Sequence, residues 1–357
     1  MKMIAMGLLA ASVAGAAMAQ ASAPDAPFRP DGTTDGIVMA RIADGVYQFT
    51  ASADGYVEAT NSTAIVGRNG VMIFDTNTRP STARAVLAML RTVTDRPVRW
   101  IVNSHWHPDH WSGNQVYAEA FAGVEIIASA GTADYMHNVA AAWPAVFAGQ
   151  LVRMRAEPPA ADDAGRAAQA ARIARRANFV DEISAVRRTY PTRIYHSTLD
   201  LDLGGRVIRL TDITGDASHS TMAFLPAERL LLAGDALVAP VTWTQQGYRI
   251  SPWIDSLHQM AALRPRLIVP GHGPLMHGLE YLTLVVDYME SARAQVRAAL
   301  AGGAVTIEDV AARVDLAAFR TRFTGGDADR IEAFDAYAPS LVRKLYLEQR
   351  DGMESRR

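Results

Sequence analysis

The chain contains no cysteine. That excludes disulfides and thiolate metal ligands, and it suits an oxidising compartment. An excess of charge is missing too: 35 Lys and Arg stand against 37 Asp and Glu, for a net charge of -2. This balance offers no electrostatic reason to bind nucleic acid or an anionic membrane surface. No internal repeat of fixed period is present. The apolar run at the N-terminus, Ile4 to Val13, is short for a membrane span and rich in alanine. Lys2 precedes it, and Ala17-Met18-Ala19 ends it in a small-x-small cleavage pattern before Gln20. Residues 1–19 therefore read as a cleaved signal peptide, leaving a periplasmic or secreted protein with no stable membrane insertion. What remains is ordinary soluble globular composition, 49% hydrophobic and 20% charged over 357 residues, enough for one large domain or two smaller ones.

Residues 20–35 are rich in Pro, Ala, Asp and Gly and read as a flexible leader. Val46 to Thr50, Asn61 to Val66 and Val71 to Asp75 read as strands, with Arg68-Asn69-Gly70 as a hairpin turn. Ser81 to Val93 has helical spacing, followed by strands at Val98 to Asn103 and Val124 to Ala128. From about 132 to 190, Ala and Arg dominate and long helices are expected. This insertion carries Arg153, Arg155, Arg166, Arg172, Arg175, Arg176, Arg187 and Arg188. It reads either as a solvated helical flank or as a lid that draws in an anionic substrate. Strand character returns at Arg193 to His196, Val207 to Thr214, Met222 to Leu225, Leu230 to Ala233 and Leu267 to Val269. Helices are expected at Ile254 to Leu263 and Leu279 to Ala301, the latter ended by Gly302-Gly303. Residues 302–357 read as a helical extension. Each half gives strands and then a helix, so residues 36–301 are expected to form a two-sheet sandwich with outer helices.

The densest chemistry lies in Asn103-Ser104-His105-Trp106-His107-Pro108-Asp109-His110. Four groups able to bind a metal fall within six residues. Burying so many polar groups is costly unless something satisfies them all, and imidazole with carboxylate suits zinc, iron or manganese. The loop follows an apolar strand, where α/β sheets place their chemistry. Three further strand ends deliver similar groups: Asp216 and His219 in Thr214-Gly215-Asp216-Ala217-Ser218-His219, Asp235 in Leu232-Ala233-Gly234-Asp235, and His272 in Pro270-Gly271-His272-Gly273. Singly, a turn Asp or a capping His explains each. Jointly they make a metal constellation.

With these motifs the chain resembles the metallo-β-lactamase superfamily from Val46 to Leu279. The resemblance implies an α/β fold, an αβ/βα four-layer sandwich with the metals at one edge. It implies two zinc ions per chain, with iron or manganese as other occupants. His105, His107 and His219 would hold one metal. Asp109, His110 and His272 would hold the other, and Asp235 would bridge them. Asp75 would brace the metal loop without ligating. The chain departs from the family pattern around His219, where no glycine follows soon and the gap to Asp235 is short; Asp216 is a nearby competitor.

Two divalent metals sharing a carboxylate lower the pKa of a bridging water enough to give hydroxide near neutral pH. Asp109 would hydrogen-bond that hydroxide and pass a proton to the leaving group. The implied enzyme is a metal-dependent hydrolase of a small ester, lactone, thioester or amide. The alternatives are a β-lactam hydrolase and an iron-dependent oxidoreductase on the same ligand frame. Ala53 to Thr60, the helical insertion and Val238 to Ile250 are the loops expected to select substrate. Trp106, Trp111, Trp243, Tyr248 and Trp253 are candidates for an aromatic rim. His137, His196, His258 and His277 fit no motif.

Overall fold

A computed structural model describes residues 36–51, 60–244 and 249–354. The residues read as a signal peptide and leader, most of the Ala53 to Thr60 loop, and Tyr248 lie outside the described residues.

Thirteen strands form two sheets among the described residues. The first runs in sequence order: β1 (Ile37–Ala43), β2 (Val46–Ala51), β3 (Asn61–Gly67), β4 (Gly70–Phe74), β5 (Val98–Val102), β6 (Glu125–Ser129) and β7 (Arg193–Tyr195). The second has the order β13 (Met276–His277), β12 (Leu267–His272), β11 (Leu230–Val238), β10 (Ser220–Leu225), β9 (Val207–Ile213) and β8 (Thr198–Asp202). Strand β1 has no counterpart in the sequence reading. It pairs antiparallel with β2 across the Asp44-Gly45 turn, and that dipeptide is its one local signal.

The layers follow from period-two alternation. In β4, Val71 and Ile73 join a core with α1 (Pro80–Leu90) and α2 (Asn114–Ala120). Met72 and Phe74 face the opposite way, into a core shared with Leu201, Ile208 and Leu232 of the second sheet. In β11, Leu230 and Leu232 enter that inter-sheet core, whereas Leu231 and Ala233 pack on α6 (Ile250–Ala262) and α7 (Glu280–Ala301). Both of these strands are buried on both faces, so the middle of each sheet needs its helical cover, whereas β8 and β9 at the edge of the second sheet leave alternate residues exposed. The result is a four-layer αβ/βα sandwich.

The C-terminal helices α8 (Ile307–Ala311), α9 (Ala317–Thr324) and α10 (Ala328–Glu354) are not an appendage. Val310, Phe323, Phe334, Leu341 and Leu345 belong to the same core as Trp253 and Val285. The insertion forms α3 (Ala130–Asn138), α4 (Trp143–Arg155) and α5 (Asp163–Ser184). The last two make a hairpin around a small core of Phe147, Leu151, Phe179, Val180 and Ile183. Three of its arginines are engaged within the hairpin: Arg166 pairs with Asp163, Arg172 pairs with Glu157, and the Arg176 guanidinium lies 5.1 Å from the Phe179 ring centre; Arg187 reaches out to Glu119 of α2. Glu182 ties the hairpin to the start of α1, accepting from Arg79 Nε at 2.7 Å and from the Ser81 N–H at 2.6 Å. No described helix is long and apolar enough to cross a membrane.

Candidate metal centre

The centre gathers where β4, β5, β11 and β12 end, at the carboxyl edge of their parallel pairs. Just past β4, Asp75 takes a left-handed φ of 60°, a conformation Asp tolerates better than most residues. This turns its carboxylate onto the next loop, where Oδ1 accepts the Ser104 N–H at 2.7 Å and Oδ2 meets His110 Nδ1 at 2.7 Å. With Nδ1 so engaged, His110 presents Nε2 to the centre, and the Asp75 bond fixes the ring's orientation. On the other sheet, Gly234 breaks the β11–β12 register with φ 53° and sends Asp235 inward. Gly271 then allows the close approach: a Cβ there would lie 1.8 Å from Asp235 Oδ1.

Two buried donor sets result, and they share Asp235. The first is His105, His107, Asp216 and Asp235; the second is Asp109, His110, Asp235 and His272. In the first, His105 Nε2 lies 2.8 Å from His107 Nδ1, and Asp216 Oδ2 lies 3.2 Å from His107 Nδ1. In the second, Asp109 Oδ2 is 3.1 Å from His110 Nε2 and 3.0 Å from His272 Nε2. Asp235 Oδ1 is 3.4 Å from His110 Nε2, and its Oδ2 is 3.5 Å from His272 Nε2 and 3.9 Å from His105 Nε2. Nitrogen and oxygen ligands about 2.0–2.1 Å from a tetrahedral zinc stand roughly 3.3 Å from one another. The spacing therefore fits a metal at the middle of each set.

Two more observations bear on the fit. His110 Nε2, Asp216 Oδ1 and Asp235 Oδ1 are buried and make no hydrogen bond within the protein. Buried polar atoms are rarely left so unless something else satisfies them. Four carboxyl groups, Asp75, Asp109, Asp216 and Asp235, are also buried together. Burial would raise Asp109 and Asp235, yet the imidazoles of His110 and His272 outweigh it and hold both well below the usual carboxylate range. Burial pulls His272 down, but Asp235 and Asp109 lift it to about 9, and His110 is raised in the same way. His105 goes the other way, pushed down to about 3 by burial. Clustered carboxylates thus make every nearby imidazole but one seek a positive charge. Two divalent cations would supply that charge while leaving the rings neutral as ligands.

Of the residues read from the sequence as ligands, His105, His107, Asp109, His110, Asp235 and His272 are brought together. His219 is not. Its Nδ1 meets Asp212 Oδ2 at 3.0 Å, and its side chain is 44% exposed. Gly131 packs against the ring, where a Cβ would sit 2.1 Å from His219 Cγ. Asp216, three residues earlier, takes the inward position. The Gly215 N–H bonds the Ala217 carbonyl and Ser256 Oγ accepts the Thr214 N–H, which turns the loop so that Asp216 points in.

Several residues of the centre carried no local signal. Thr60 donates to Asp109 Oδ2 at 3.1 Å and bridges to the His272 backbone. Asn61 Nδ2 donates to the carbonyls of Pro270 at 2.9 Å and Gly273 at 2.8 Å, clamping the loop that bears His272. Both sit about two hundred residues from the loop they hold. Aromatic rings wall the centre on two sides. Trp106 and Trp143 stand 4.5 and 6.0 Å from the His107 ring centre, and Trp243 stands 4.5 Å from that of His272. Trp143 is the insertion's own contribution. Trp111 instead stacks on Tyr190 and donates to the Trp106 carbonyl. Trp253 lies in the core beneath β11, bonded to the Ala236 carbonyl, and takes no part in the rim.

A family model for the metallo-beta-lactamase superfamily matches residues 55–272, and the chain belongs to that superfamily, most of whose members are hydrolases. The linear primary-alkylsulfatase of Pseudomonas sp. (strain ATCC 19151) is 25% identical over 241 residues, which is 64% of this chain and 44% of that protein. The match thus spans less than half of the relative's length. Among solved structures, a metallo-beta-lactamase from Pontibacter korlensis superposes with a TM-score of 0.52 at 15% identity, covering 70% of this chain and 97% of the other. A second, the mono-zinc form of a metallo-beta-lactamase from Pseudomonas aeruginosa, has a TM-score of 0.49 at 14% identity, over 72% and 96% of the two chains.

Proposed function

We propose that this chain is an exported two-metal hydrolase of a small ester, with lactones, thioesters and amides as chemically related substrates. The observation that carries the reading is the pair of buried donor sets sharing Asp235. Two zinc ions held there would act as Lewis acids and make water nucleophilic near neutral pH. The chain's own residues do the rest. His105, His107 and Asp216 hold one side of the centre, and Asp109, His110 and His272 hold the other. Asp109, buried and kept ionised by its histidine neighbours, takes a proton from the attacking water and passes it to the departing oxygen as that oxygen's bond to the acyl or sulfuryl centre breaks. Thr60 fixes the orientation of the Asp109 carboxylate. Trp106 and Trp143 on one side and Trp243 on the other exclude water and receive the substrate's organic group.

An alkyl sulfate ester is the second reading, favoured by the similarity to the Pseudomonas alkylsulfatase. One experiment tests both. The zinc-reconstituted chain is assayed for metal content and then against alkyl sulfates, carboxylic esters, lactones, thioesters and β-lactams. The expected result is about two metals per chain, as two-metal chemistry requires, with ester cleavage that a chelator abolishes. Cleavage confined to β-lactams would move the assignment to a β-lactamase. Iron in the native protein, with oxygen consumed, would replace hydrolysis by redox chemistry.

Export rests on residues 1–19, which carry the charged start, apolar run and small-residue cleavage pattern. The mature chain from a periplasmic fraction is expected to begin near Gln20 on N-terminal sequencing. Protein retained at the membrane with Met1 intact would mean an anchor instead.

A further inference from the structure

Helix α10 is the last of the described elements, and one of its faces grips the segment bordering the metal centre. Tyr337, Ser340, Lys344 and Glu348 are spaced by three, four and four residues, which lines them up in one stripe. The Tyr337 carbonyl accepts from Thr244 Oγ1 at 2.7 Å. Ser340 Oγ donates to the Thr244 carbonyl at 3.0 Å, and Lys344 Nζ donates to the same carbonyl. One turn further on, Glu348 accepts the N–H groups of Ile250 and Ser251 and the Ser251 hydroxyl, capping the start of α6. The stripe thus holds the β11–α6 connection at both of its described ends. Trp243 immediately precedes Thr244, and it is the residue whose ring meets His272.

Lys344 is half-buried, and burial pushes its amine down to about 8 while the carboxylates of Asp216 and Glu348 oppose the shift. Immobilising a lysine costs more rotamer freedom than fixing most side chains. A side chain on a merely solvated helical face would not be held in this way.

We propose that Lys344 is a positioning residue of the metal centre: by holding the Thr244 carbonyl it sets Trp243 against His272 and shapes the wall that receives the substrate's organic group. Only the last clause rests on the proposed hydrolase function; the placement of Trp243 does not.

The test is fluorine NMR of the full chain labelled with 5-fluorotryptophan. There are six tryptophans, and the Trp243 resonance is assigned by its loss in W243F. In K344M, which keeps an apolar stem but loses the donor, the Trp243 resonance is expected to shift by more than its linewidth. The resonance of Trp253, buried in the core, should stay in place. K344R, which retains donors, should restore the wild-type position. In the zinc-loaded enzyme, K344M should raise KM about 3- to 10-fold with kcat little changed, and it should add nothing in a W243A background, as coupled neighbours are non-additive. An unmoved Trp243 resonance in K344M, or KM effects that multiply in the double variant, overturns the proposal. Should K344M fail to fold, S340A removes the other side-chain donor to the Thr244 carbonyl. A shift confined to Trp243 in S340A supports the clamp, and none overturns it. A wild-type chain without metal or activity would defeat the hydrolase reading, while the fluorine measurement would still decide the role of Lys344.

Discussion

Asp216→Ala is expected to strip one metal from the centre and to lower kcat/KM by at least about 100-fold, whereas His219→Ala should change either by less than about threefold. The larger figure is a floor, because loss of residues that merely brace a ligand costs roughly 10–100-fold. Asp216 sits 3.2 Å from His107 Nδ1, and its other oxygen is buried without a protein partner. Its removal leaves the first donor set with two imidazoles and the shared carboxylate. His219 has a different partner in Asp212, on a part-exposed flank where an ion pair is worth about 0–1 kcal/mol. Metal content by mass spectrometry and kinetics on both variants decide the matter, with circular dichroism to confirm folding. The opposite order of effects would return the ligand role to His219 and would show that the loop from Thr214 to His219 rearranges around metal.

Asp235→Ala should be the more severe single change. Asp235 belongs to both donor sets, so both sites lose a ligand at once and their charge balance shifts by one unit. Metal ions contribute several kcal/mol of charge stabilisation in such reactions, so a loss of roughly 1,000-fold or more in kcat is expected at about 1.4 kcal/mol per decade. A second readout is independent of turnover. A ligand that binds only the folded state stabilises it by about 4 kcal/mol at 1,000 times its dissociation constant. The wild-type Tm should therefore climb on zinc addition, and in the variant most of that rise should vanish. The metal-free variant should be less stable than the metal-free wild type, because His110 and His272 lose the buried carboxylate they pair with, so the comparison is made on the rise that zinc produces in each. Two metals at full occupancy in Asp235→Ala would rule out the bridging role.

Much of the site can be read from the chain because its groups arrive on short loops at the ends of apolar strands. The His105 to His110 run is compact enough that a single loop after β5 must bring its members together, whatever the rest of the fold does. Asp75, Asp235 and His272 each close or interrupt an apolar strand, and strands of a parallel sheet end at one edge. The alternation within β4 and β11 likewise declares two buried faces, and so a layered sandwich. These features are local, and local patterning determined them.

Tertiary structure decided the rest, because it turned on which way a side chain faces and on what comes near it from far along the chain. Asp216 and His219 are three residues apart on an irregular loop with no period to sort inward from outward. The choice was made by Gly131 packed on the His219 ring, by Asp212 holding its Nδ1 and by the turn at Gly215. Thr60 ends a loop expected only to face substrate and Asn61 opens an ordinary strand, and their hold on the centre appears only when β12 is laid beside β3. Trp243 and Trp253 look alike in the chain, yet one meets His272 and the other fills the core under α6. Lys344 reaches Thr244 across 100 residues because α10 must bury its apolar face against α6 and α7, which leaves its polar stripe facing the loop. Chain composition and strand periodicity specify which faces are buried; packing between distant elements then selects which polar groups meet.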